Sequence, residues 1–247
     1  MICPIADRNV RRNCADYKGG INMSTSFFEL ENIAYGYLDG GMKRMILQNL
    51  SFRFEKGKFY TILGPSGSGK STLLAIAAAL DEPEKGRVMF NGKDIKVTGY
   101  TNFRRNSIAI IFQKYNLMNY LTAAENVESD MMIIDHKVPG NKKELAYKIL
   151  QTVGIVKTKA DRLVTTLSGG EQQRVAISRA LAKDVDLILG DEPTGALDTA
   201  TQKEIIKLFQ SLAHDYNKTI IVVTHSDEVA GQSDIVLHLR DGILLEA

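Results

Sequence analysis

The chain has 247 residues, of which 44% are hydrophobic and 24% are charged, and its formal net charge is +2. This length suits one large α/β domain, or a core with a smaller lobe. A charge so close to neutral argues against a nucleic-acid-binding surface, and no apolar run approaches the roughly 20 residues of a membrane-spanning helix. The N-terminus also lacks the apolar core of a secretory signal, so we expect a globular protein that is not exported.

The first segment, residues 1–24, differs from the rest of the chain. Scattered basic residues lie there among polar ones without an apolar period, together with the only cysteines, Cys3 and Cys14. One interpretation is a basic arm that touches anionic lipid or a partner; the other is a disordered extension, with Met23 as the actual start. We favour the extension, because a polybasic cluster usually holds more charges. The remaining residues, 25–247, are then a domain without disulfides, in keeping with a reducing compartment.

Alternating apolar residues predict an antiparallel β-layer at the start of this domain. The alternating positions are Phe28, Leu30, Ile33, Leu50, Phe52 and Phe54. A turn at Asp39-Gly40-Gly41 would join the two strands, and Tyr37 would close the first of them.

A glycine-rich loop follows, in the pattern Gly-x-x-x-x-Gly-Lys-Ser. Its residues are Gly64, Pro65, Ser66, Gly67, Ser68, Gly69, Lys70, Ser71 and Thr72. The apolar run 59–63 before it predicts a buried strand, and the run 73–80 after it consists of good helix formers. This is the order that a phosphate-binding loop requires: backbone N–H groups and the helix N-terminus face the phosphates, Lys70 reaches the β- and γ-phosphates, and Ser71 is placed to ligate Mg²⁺. The alternative is a glycine-rich turn without a ligand.

Two tyrosines near the end of the first strand are candidates to contact the base of a bound nucleotide. Stacking of an aromatic ring on an adenine is worth roughly 1–3 kcal/mol in nucleic-acid systems. Tyr37 closes the predicted strand, and Tyr35 points to the same side and competes for the role. Ordinary strand packing is the alternative for either residue.

An inserted helical lobe is predicted over about residues 114–183. It follows an apolar strand that ends at Gln113, at the strand edge where α/β proteins bind ligands, so Gln113 is a candidate for the metal or its water. The helix-like segments 122–134 and 142–153 are joined by a Pro-Gly break. The apolar and aromatic cluster Tyr115–Leu121 is either interior packing or a groove for a partner's helix.

A second anion-binding sequence lies within this lobe, at Ser168-Gly169-Gly170, directly before a helix that runs through Ala182. Free N–H groups, the Ser168 hydroxyl and the helix dipole suit a phosphate, and an ordinary helix cap is the alternative. These two anion sites lie far apart in the chain, and a single short nucleotide does not require both.

Carboxylates and a histidine end two further strands. The buried run 187–190 leads into Asp191, which suits a contact with Mg²⁺ and its water, and Glu192, which suits polarising an attacking water. A pair of acids capping a nearby turn is the alternative. His225 ends the strand 219–223, where it can donate to a γ-phosphate.

From Phe27 to Leu245 the chain resembles the ATP-binding-cassette (ABC) ATPases. The matching features, in the family's order, are 64–72, Gln113, Leu167–Gly170, Asp191-Glu192, Asp198 and His225. Leu-Ser-Gly-Gly is the most specific of them, because it separates this family from other NTPases with a phosphate loop. The segments 167–174 and 191–198 look most like the branch that serves macrolide and antimicrobial-peptide export, lipoprotein release and peptide-antibiotic resistance.

The resemblance implies an α/β fold: a P-loop NTPase core, mostly a parallel sheet flanked by helices, with the antiparallel β-layer and the inserted helical lobe. It also implies a head-to-tail dimer, in which ATP on Lys70 of one copy is covered by Ser168 and Gly170 of the other. The membrane part is then a separate permease that docks near Tyr115–Leu121 and holds the dimer at the cytoplasmic face of the membrane.

Each motif acquires an implied role. Tyr37 stacks on the adenine, matching the family's aromatic position better than Tyr35. Residues 64–72 wrap the phosphates. The implied ligands of Mg²⁺, direct or through water, are Ser71, Gln113 and Asp191. The implied roles near the γ-phosphate are a general base at Glu192, a steadying contact from His225 and, across the dimer, a link between the two sites at Asp198.

The reaction implied is ATP + water to ADP + phosphate, powering export of, or resistance to, peptides, macrolides or lipoproteins. The alternative is an ABC ATPase that moves no solute and drives a membrane partner regulating a cell-wall enzyme. A chromosome-type ABC ATPase is disfavoured, because the chain shows no basic stripe or coiled coil. Departures from the family pattern are minor: Glu171 stands where many relatives have Gln, and Asp184-Val185 replaces Asn-Pro.

Overall fold

The computed structural model describes residues 27–136, 138 and 140–246. The predicted extension over residues 1–24, with its two cysteines, lies outside the described residues, as does the predicted domain start at residue 25.

The described chain alternates strands and helices. The strands are β1 (Phe28–Asp39), β2 (Met42–Phe54), β3 (Phe59–Leu63), β4 (Lys85–Phe90), β5 (Lys93–Asp94), β6 (Ile108–Ile111), β7 (Leu187–Asp191), β8 (Thr219–Thr224), β9 (Ile235–Arg240) and β10 (Ile243–Glu246). The helices are α1 (Lys70–Ala77), α2 (Ile95–Thr98), α3 (Tyr100–Asn106), α4 (Ala123–Ile133), α5 (Lys142–Thr152), α6 (Lys157–Ala160), α7 (Gly169–Ala182), α8 (Thr199–His214) and α9 (Asp227–Ala230), with a 3-10 turn at Val164–Thr166.

The predicted antiparallel layer is a four-stranded sheet in the order β2-β1-β4-β5. β1 and β2 pair antiparallel, and the turn between them uses the left-handed backbone of Gly40 and Gly41, which other residues rarely adopt. Phe28 and Ile33 are fully buried, as their alternation predicts. β1 continues past Tyr37 to Asp39, so Tyr37 lies within the strand rather than at its end.

The core is a six-stranded sheet in the order β10-β9-β3-β8-β7-β6. β9, β3, β8, β7 and β6 are parallel, and β10 pairs with β9 as an antiparallel edge strand. β3 and β8 are apolar along most of their length and almost wholly buried, as expected for parallel strands covered on both faces. Because parallel strands end at the same edge, the loops after β3, β6, β7 and β8 meet there.

The predicted helical lobe consists mainly of α4, α5 and α7, which pack against one another. Thr122 begins α4 with a reciprocal capping box to Glu125, so two backbone donors of the first turn are satisfied. Met131, Ile149 and Val175 contribute to a hydrophobic cluster shared by the three helices and the face of the parallel sheet. The lobe and the sheet are therefore packed as one body.

The helix after the glycine loop is shorter than the sequence predicts. It ends at Ala77, and Ala79 has a positive φ of 55°. The Arg104 guanidinium donates to the Ala79 carbonyl, which satisfies an acceptor that the helix leaves free at its end.

Within residues 27–136 and 140–246, none of the helices has the length and apolar character that crossing a bilayer requires.

Candidate nucleotide-binding site

The glycine loop connects β3 to α1 at the carboxyl edge of the parallel sheet. Gly69 is the N-cap of α1, with φ of 96°. A Cβ atom there would lie 2.8 Å from the Cγ2 of Ile46, so both the backbone angle and the close approach of β2 require glycine.

Lys70 is held across this loop. Its ammonium donates to the carbonyls of Gly64 (2.7 Å) and Pro65 (3.0 Å). The positive charge therefore lies over the loop, next to the N-terminus of α1. A bound anion at this position meets the lysine and the helix N-terminus together.

A cleft of about 680 Å³ opens over the loop. It brings together most of the predicted site residues, and its lining consists of Tyr37, Ile46, Ser66, Gly67, Gly69, Lys70, Ser71, Thr72, Gln113, Asp191, Glu192 and His225. Of the remaining loop residues, Pro65 and Ser68 line an adjoining polar pocket of about 410 Å³, which also contains Arg44 and Arg240. Gly64 lies beneath the loop, where a Cβ atom would be 2.6 Å from the Leu239 carbonyl.

The predicted metal ligands lie in this cleft. The Ser71 hydroxyl is 3.5 Å from Oδ1 of Asp191, and the exposed side chain of Gln113 lines the same space. Burial raises the pKa of the Asp191 carboxyl, and Glu192 adds to the effect, while the Ser71 hydroxyl and Lys70 oppose it. Hydroxyl, carboxylate and amide oxygens are the ligands that Mg²⁺ takes beside phosphate oxygens, so these residues fit that ion.

Three donors converge on the carboxylate of Glu192. Oε2 accepts from the Thr224 hydroxyl (2.7 Å), and Oε1 accepts from the His225 backbone N–H (3.0 Å) and lies 2.7 Å from His225 Nδ1. The backbone of Glu192 is left-handed, with φ of 47°, a strained conformation for this residue type. The carboxylate is therefore fixed at the cleft wall, and it does not cap a local turn.

The two tyrosines of β1 occupy different positions. Tyr37 lines the cleft, is 48% exposed, and has its hydroxyl 3.4 Å from that of Thr72. Tyr35 packs against the hydrophobic core, and its hydroxyl donates to Asp81. Tyr37 is therefore the tyrosine that is available to a base.

The second anion-binding sequence starts α7 and is not part of the cleft lining. Ser168 is the N-cap, in a capping box with Glu171, and Lys159 pairs with the same glutamate. A Cβ atom on Gly170 would lie 3.4 Å from the Ala196 carbonyl, so this surface adjoins the loop before α8. Asp198 caps α8 by accepting from the backbone N–H and hydroxyl of Thr201, and these hydrogen bonds lower its pKa.

Two residues of the site were not among the sequence predictions. Thr224 holds Glu192, and Ile46 forms part of the cleft wall. Thr224 directly precedes His225 at a strand end, a position that could have marked it. Nothing in the local sequence distinguishes Ile46, which reaches the cleft only through the packing of β2 beside the loop.

Comparison with known proteins places this geometry in a family. Residues 47–195, more than half of the chain, match the model of the family described as ABC transporter. YclH of Bacillus subtilis, named an uncharacterized ABC transporter ATP-binding protein, is 46% identical over 217 residues, which are 88% of this chain and 95% of YclH.

Two further relatives carry more specific descriptions. The lipoprotein-releasing system ATP-binding protein LolD 1 of Rhodopseudomonas palustris is 37% identical over 80% of this chain and 88% of its own length. The ATP-binding cassette MJ0796 of Methanocaldococcus jannaschii, solved as a dimer in a post-hydrolysis state with ADP and Pi, superposes with a TM-score of 0.84 at 36% identity, over 89% of this chain and 97% of that one. The chain therefore belongs to the ABC transporter family, as an ATP-binding subunit that hydrolyses ATP and powers a membrane transporter.

Proposed function

We propose that the cleft over the glycine loop is the place where this subunit binds and hydrolyses ATP, with the residue roles expected from the sequence. The observation that carries this proposal is the convergence of Lys70 with Asp191 and Glu192, from two distant parts of the chain, on one cleft. Tyr37 offers an exposed ring to the adenine, and loop residues 64–72 surround the phosphates.

In this proposal Ser71, Gln113 and Asp191 hold Mg²⁺, directly or through water. The ion supplies charge neutralisation at the phosphate oxygens. A nearby cation favours the ionised form of a carboxylate, so the ion would offset the cost of ionising the buried Asp191 carboxyl.

Glu192 acts as the general base. Phosphoryl transfer relies mainly on positioning and charge neutralisation, so the protein must place a water and accept its proton. Thr224 and His225 hold the Glu192 carboxylate by its two oxygens, which fixes the direction from which a water is activated. His225 lies at the rim of the cleft, where its ring can also contact the γ-phosphate.

The second anion surface supports a head-to-tail dimer. Ser168, Gly170 and Asp198 are outside the cleft of their own chain, and Gly170 lies beside Ala196, in the loop that leads to Asp198. A second copy rotated by two-fold symmetry would place this surface over the nucleotide of the first, with Asp198 between the two sites. Dimeric MJ0796, with its ADP and Pi, is consistent with this arrangement.

We also propose that a separate integral membrane permease docks near Tyr115–Leu121. Part of this cluster is structural, since Leu117 packs against the core. Tyr120 is different: it is 77% exposed, and Leu163, whose segment is bridged to Thr122, is 45% exposed. Exposed aromatic and aliphatic side chains on neighbouring segments suit an amphipathic helix of a partner.

We also propose that the ATPase domain covers residues 25–247, with its helical lobe at about 114–183. Docking on the permease would hold the dimer at the cytoplasmic face of the cell membrane. LolD 1 by name serves lipoprotein release, and we propose a cargo of the same broad kind, namely peptides, macrolides or lipoproteins.

Mixed dimers test the shared site. In the Glu192→Gln background, K70A removes the loop lysine and S168R blocks the opposite surface. We expect that neither double variant forms dimers by itself when ATP is added. Their mixture should form dimers that bind one ATP, because one of the two composite sites is intact. Sedimentation velocity and bound-nucleotide counting read out both properties.

The controls separate the parts of this proposal. If the K70A variant binds and hydrolyses ATP normally, the cleft is not the ATP site. If E192Q turns over ATP at the wild-type rate, Glu192 is not the base. If the mixture stays monomeric although E192Q alone dimerises, the head-to-tail arrangement is wrong and the cleft assignment stands.

A further inference from the structure

Tyr35 and Tyr37 form a T-shaped aromatic pair. Their ring centroids are 5.1 Å apart, and the ring planes meet at 83°. The edge-to-face arrangement is favoured by the charge distribution of aromatic rings. Tyr35 is partly buried against the hydrophobic core on one side and Tyr37 is exposed to the cleft on the other, so the more buried ring supports the more exposed one.

The position of Tyr35 is fixed by a hydrogen bond. Its hydroxyl lies 2.5 Å from Oδ2 of Asp81, and the other oxygen of this carboxylate accepts from the Glu82 N–H. The Asp81 backbone in turn donates to the Ala75 carbonyl, in the last turn of α1. The hydrogen bond to Asp81, followed by burial, raises the pKa of the Tyr35 phenol.

The other end of the same helix contacts Tyr37. The Thr72 hydroxyl, in the first turn of α1, is 3.4 Å from the Tyr37 hydroxyl. A second link joins the β1–β2 hairpin to the turn after α1: Lys43 pairs with Glu84, whose N–H donates to the Ala34 carbonyl. The hairpin that carries the tyrosines is therefore attached at both ends of the helix that presents the phosphate loop.

We propose that Tyr35 and Asp81 are positioning residues that hold the Tyr37 ring at a fixed distance from the phosphate loop, ready to stack on the base. This inference rests on the proposed contact between Tyr37 and adenine. A ring held in its bound orientation loses less conformational freedom on binding, so preorganisation raises affinity for the base-containing ligand. The phosphate contacts do not involve Tyr35, and ligands without a base should not benefit.

The test compares ADP with pyrophosphate, its base-free counterpart, by titration calorimetry with the wild-type chain, Y35F and D81A. Each variant removes the hydrogen bond, and Y35F keeps the ring. We expect the dissociation constant of ADP to rise about three- to tenfold, the range that the loss of one net hydrogen bond allows. The dissociation constant of pyrophosphate should stay within about twofold, a change worth less than a typical hydrogen bond. In steady-state assays KM for ATP should rise while kcat is preserved.

Y147F is the matched control, because Tyr147 makes the same kind of bond to Asp161 in the helical lobe, and it should leave both ligands unaffected. Unchanged ADP affinity in both Y35F and D81A, or an equal loss for ADP and pyrophosphate, would overturn the proposal. The Y37A variant separates the adenine contact of Tyr37 from the positioning role of Tyr35. If Y37A binds ADP normally, the adenine contact itself is wrong, whereas a weakened Y37A beside a normal Y35F removes only the role of Tyr35.

Discussion

Arg179 of α7 and Asp130 of α4 form a two-bonded ion pair. Nε and Nη2 of the guanidinium lie 3.2 and 3.0 Å from the two carboxylate oxygens. The remaining nitrogen, Nη1, donates to the carbonyl of Asn116. Tyr115 and Asn116 both have a left-handed backbone, an uncommon conformation that the surrounding structure must hold in place. One arginine thus joins the helix that Ser168 caps to the loop that contains Gln113.

The first prediction concerns this arginine. R179K keeps the charge but cannot make the planar fork to Asp130 and reach Asn116 as well. We expect turnover to fall about tenfold, as for a change that misplaces a contact at the reacting centre, while ADP affinity changes little. R105K is the control, because Arg105 makes an exposed pair with Asp135 of the kind that contributes little. Equal activity of R179K and R105K would contradict the prediction.

The second prediction concerns the hydroxyl that holds Glu192. T224V removes the donor to Oε2 at nearly constant volume, and we expect kcat to fall about tenfold with little change in KM, since the loss affects only the reacting state. T224S restores the hydroxyl and should restore most of the rate. Steady-state ATPase assays measure both.

Its control lies on the same strand. Thr219, at the other end of β8, is also buried, and its hydroxyl is 3.2 Å from the Glu55 carbonyl. T219V should lower the free energy of unfolding by about 1 kcal/mol, the usual net value of a hydrogen bond, and leave kcat unchanged. If T224V behaves like T219V, the Thr224 hydroxyl has only a structural role.

The third prediction is that Asp191 lowers the stability of the fold and is required for turnover. Its pKa is raised by burial, so the folded state prefers the protonated acid, and ionisation at neutral pH costs stability. D191N removes that cost, and we expect the unfolding midpoint at pH 7 to rise by about 2–4 °C, what 1 kcal/mol produces in a chain of this size. Turnover should fall about a hundredfold or more as the metal contact is lost. The gain in midpoint should shrink as the pH is lowered through the raised pKa; a lowered midpoint at pH 7 would contradict the prediction.

The fourth prediction concerns pH and Asp234, which fixes the start of β3. Its Oδ2 accepts from the Phe59 N–H (2.8 Å), and His214 Nε2 is 2.9 Å from Oδ1. Burial alone would raise the pKa of Asp234, but the Phe59 N–H and the His214 ring outweigh it and lower the pKa below the ordinary 3.8. D234N should therefore destabilise the fold by about 1 kcal/mol at pH 7, as for one net hydrogen bond.

The sign of the pH dependence follows from the lowered pKa. The stabilisation from Asp234 is fully present above the pKa that this carboxyl has in the unfolded chain. It is lost as the pH falls through the lowered pKa of the folded chain. Denaturant unfolding at pH 7 and pH 3 should show the difference between the wild-type chain and D234N narrowing at the lower pH. D215N, on an exposed acid bonded to Ser211, should stay within about 0.5 kcal/mol of wild type at both pH values. If the difference in the free energy of unfolding between the wild-type chain and D234N is the same at both pH values, the pKa of the Asp234 carboxyl does not change on folding.

Much of the site could be predicted because its chemistry is concentrated at strand ends. The loop Gly64–Thr72 is preceded by a recognisable strand and followed by a recognisable helix, and Asp191 and His225 lie close behind apolar runs. The rule that parallel strands end at one edge then brings them together without knowledge of the strand order.

The contacts that fix the orientation of these groups could not be predicted in the same way. Thr224 reaches Glu192 because β7 and β8 are neighbours in a register that pairs Asp191 with Val223, a relation set by the whole sheet. Asp81 lies 46 positions from Tyr35, and only the fold shows which tyrosine it engages. The hydrogen bond from Arg104 to the Ala79 carbonyl, just after the end of α1, likewise joins residues that are far apart in the sequence.

The cleft draws on both sheets of the fold. Tyr37 belongs to the antiparallel layer, whereas Lys70, Asp191 and Glu192 follow strands of the parallel one. The proposed contact with the base is thereby carried by a different sheet from the groups proposed to cleave the phosphoanhydride. Changes within the β1–β2 hairpin should accordingly alter nucleotide affinity and leave the chemical step unaltered.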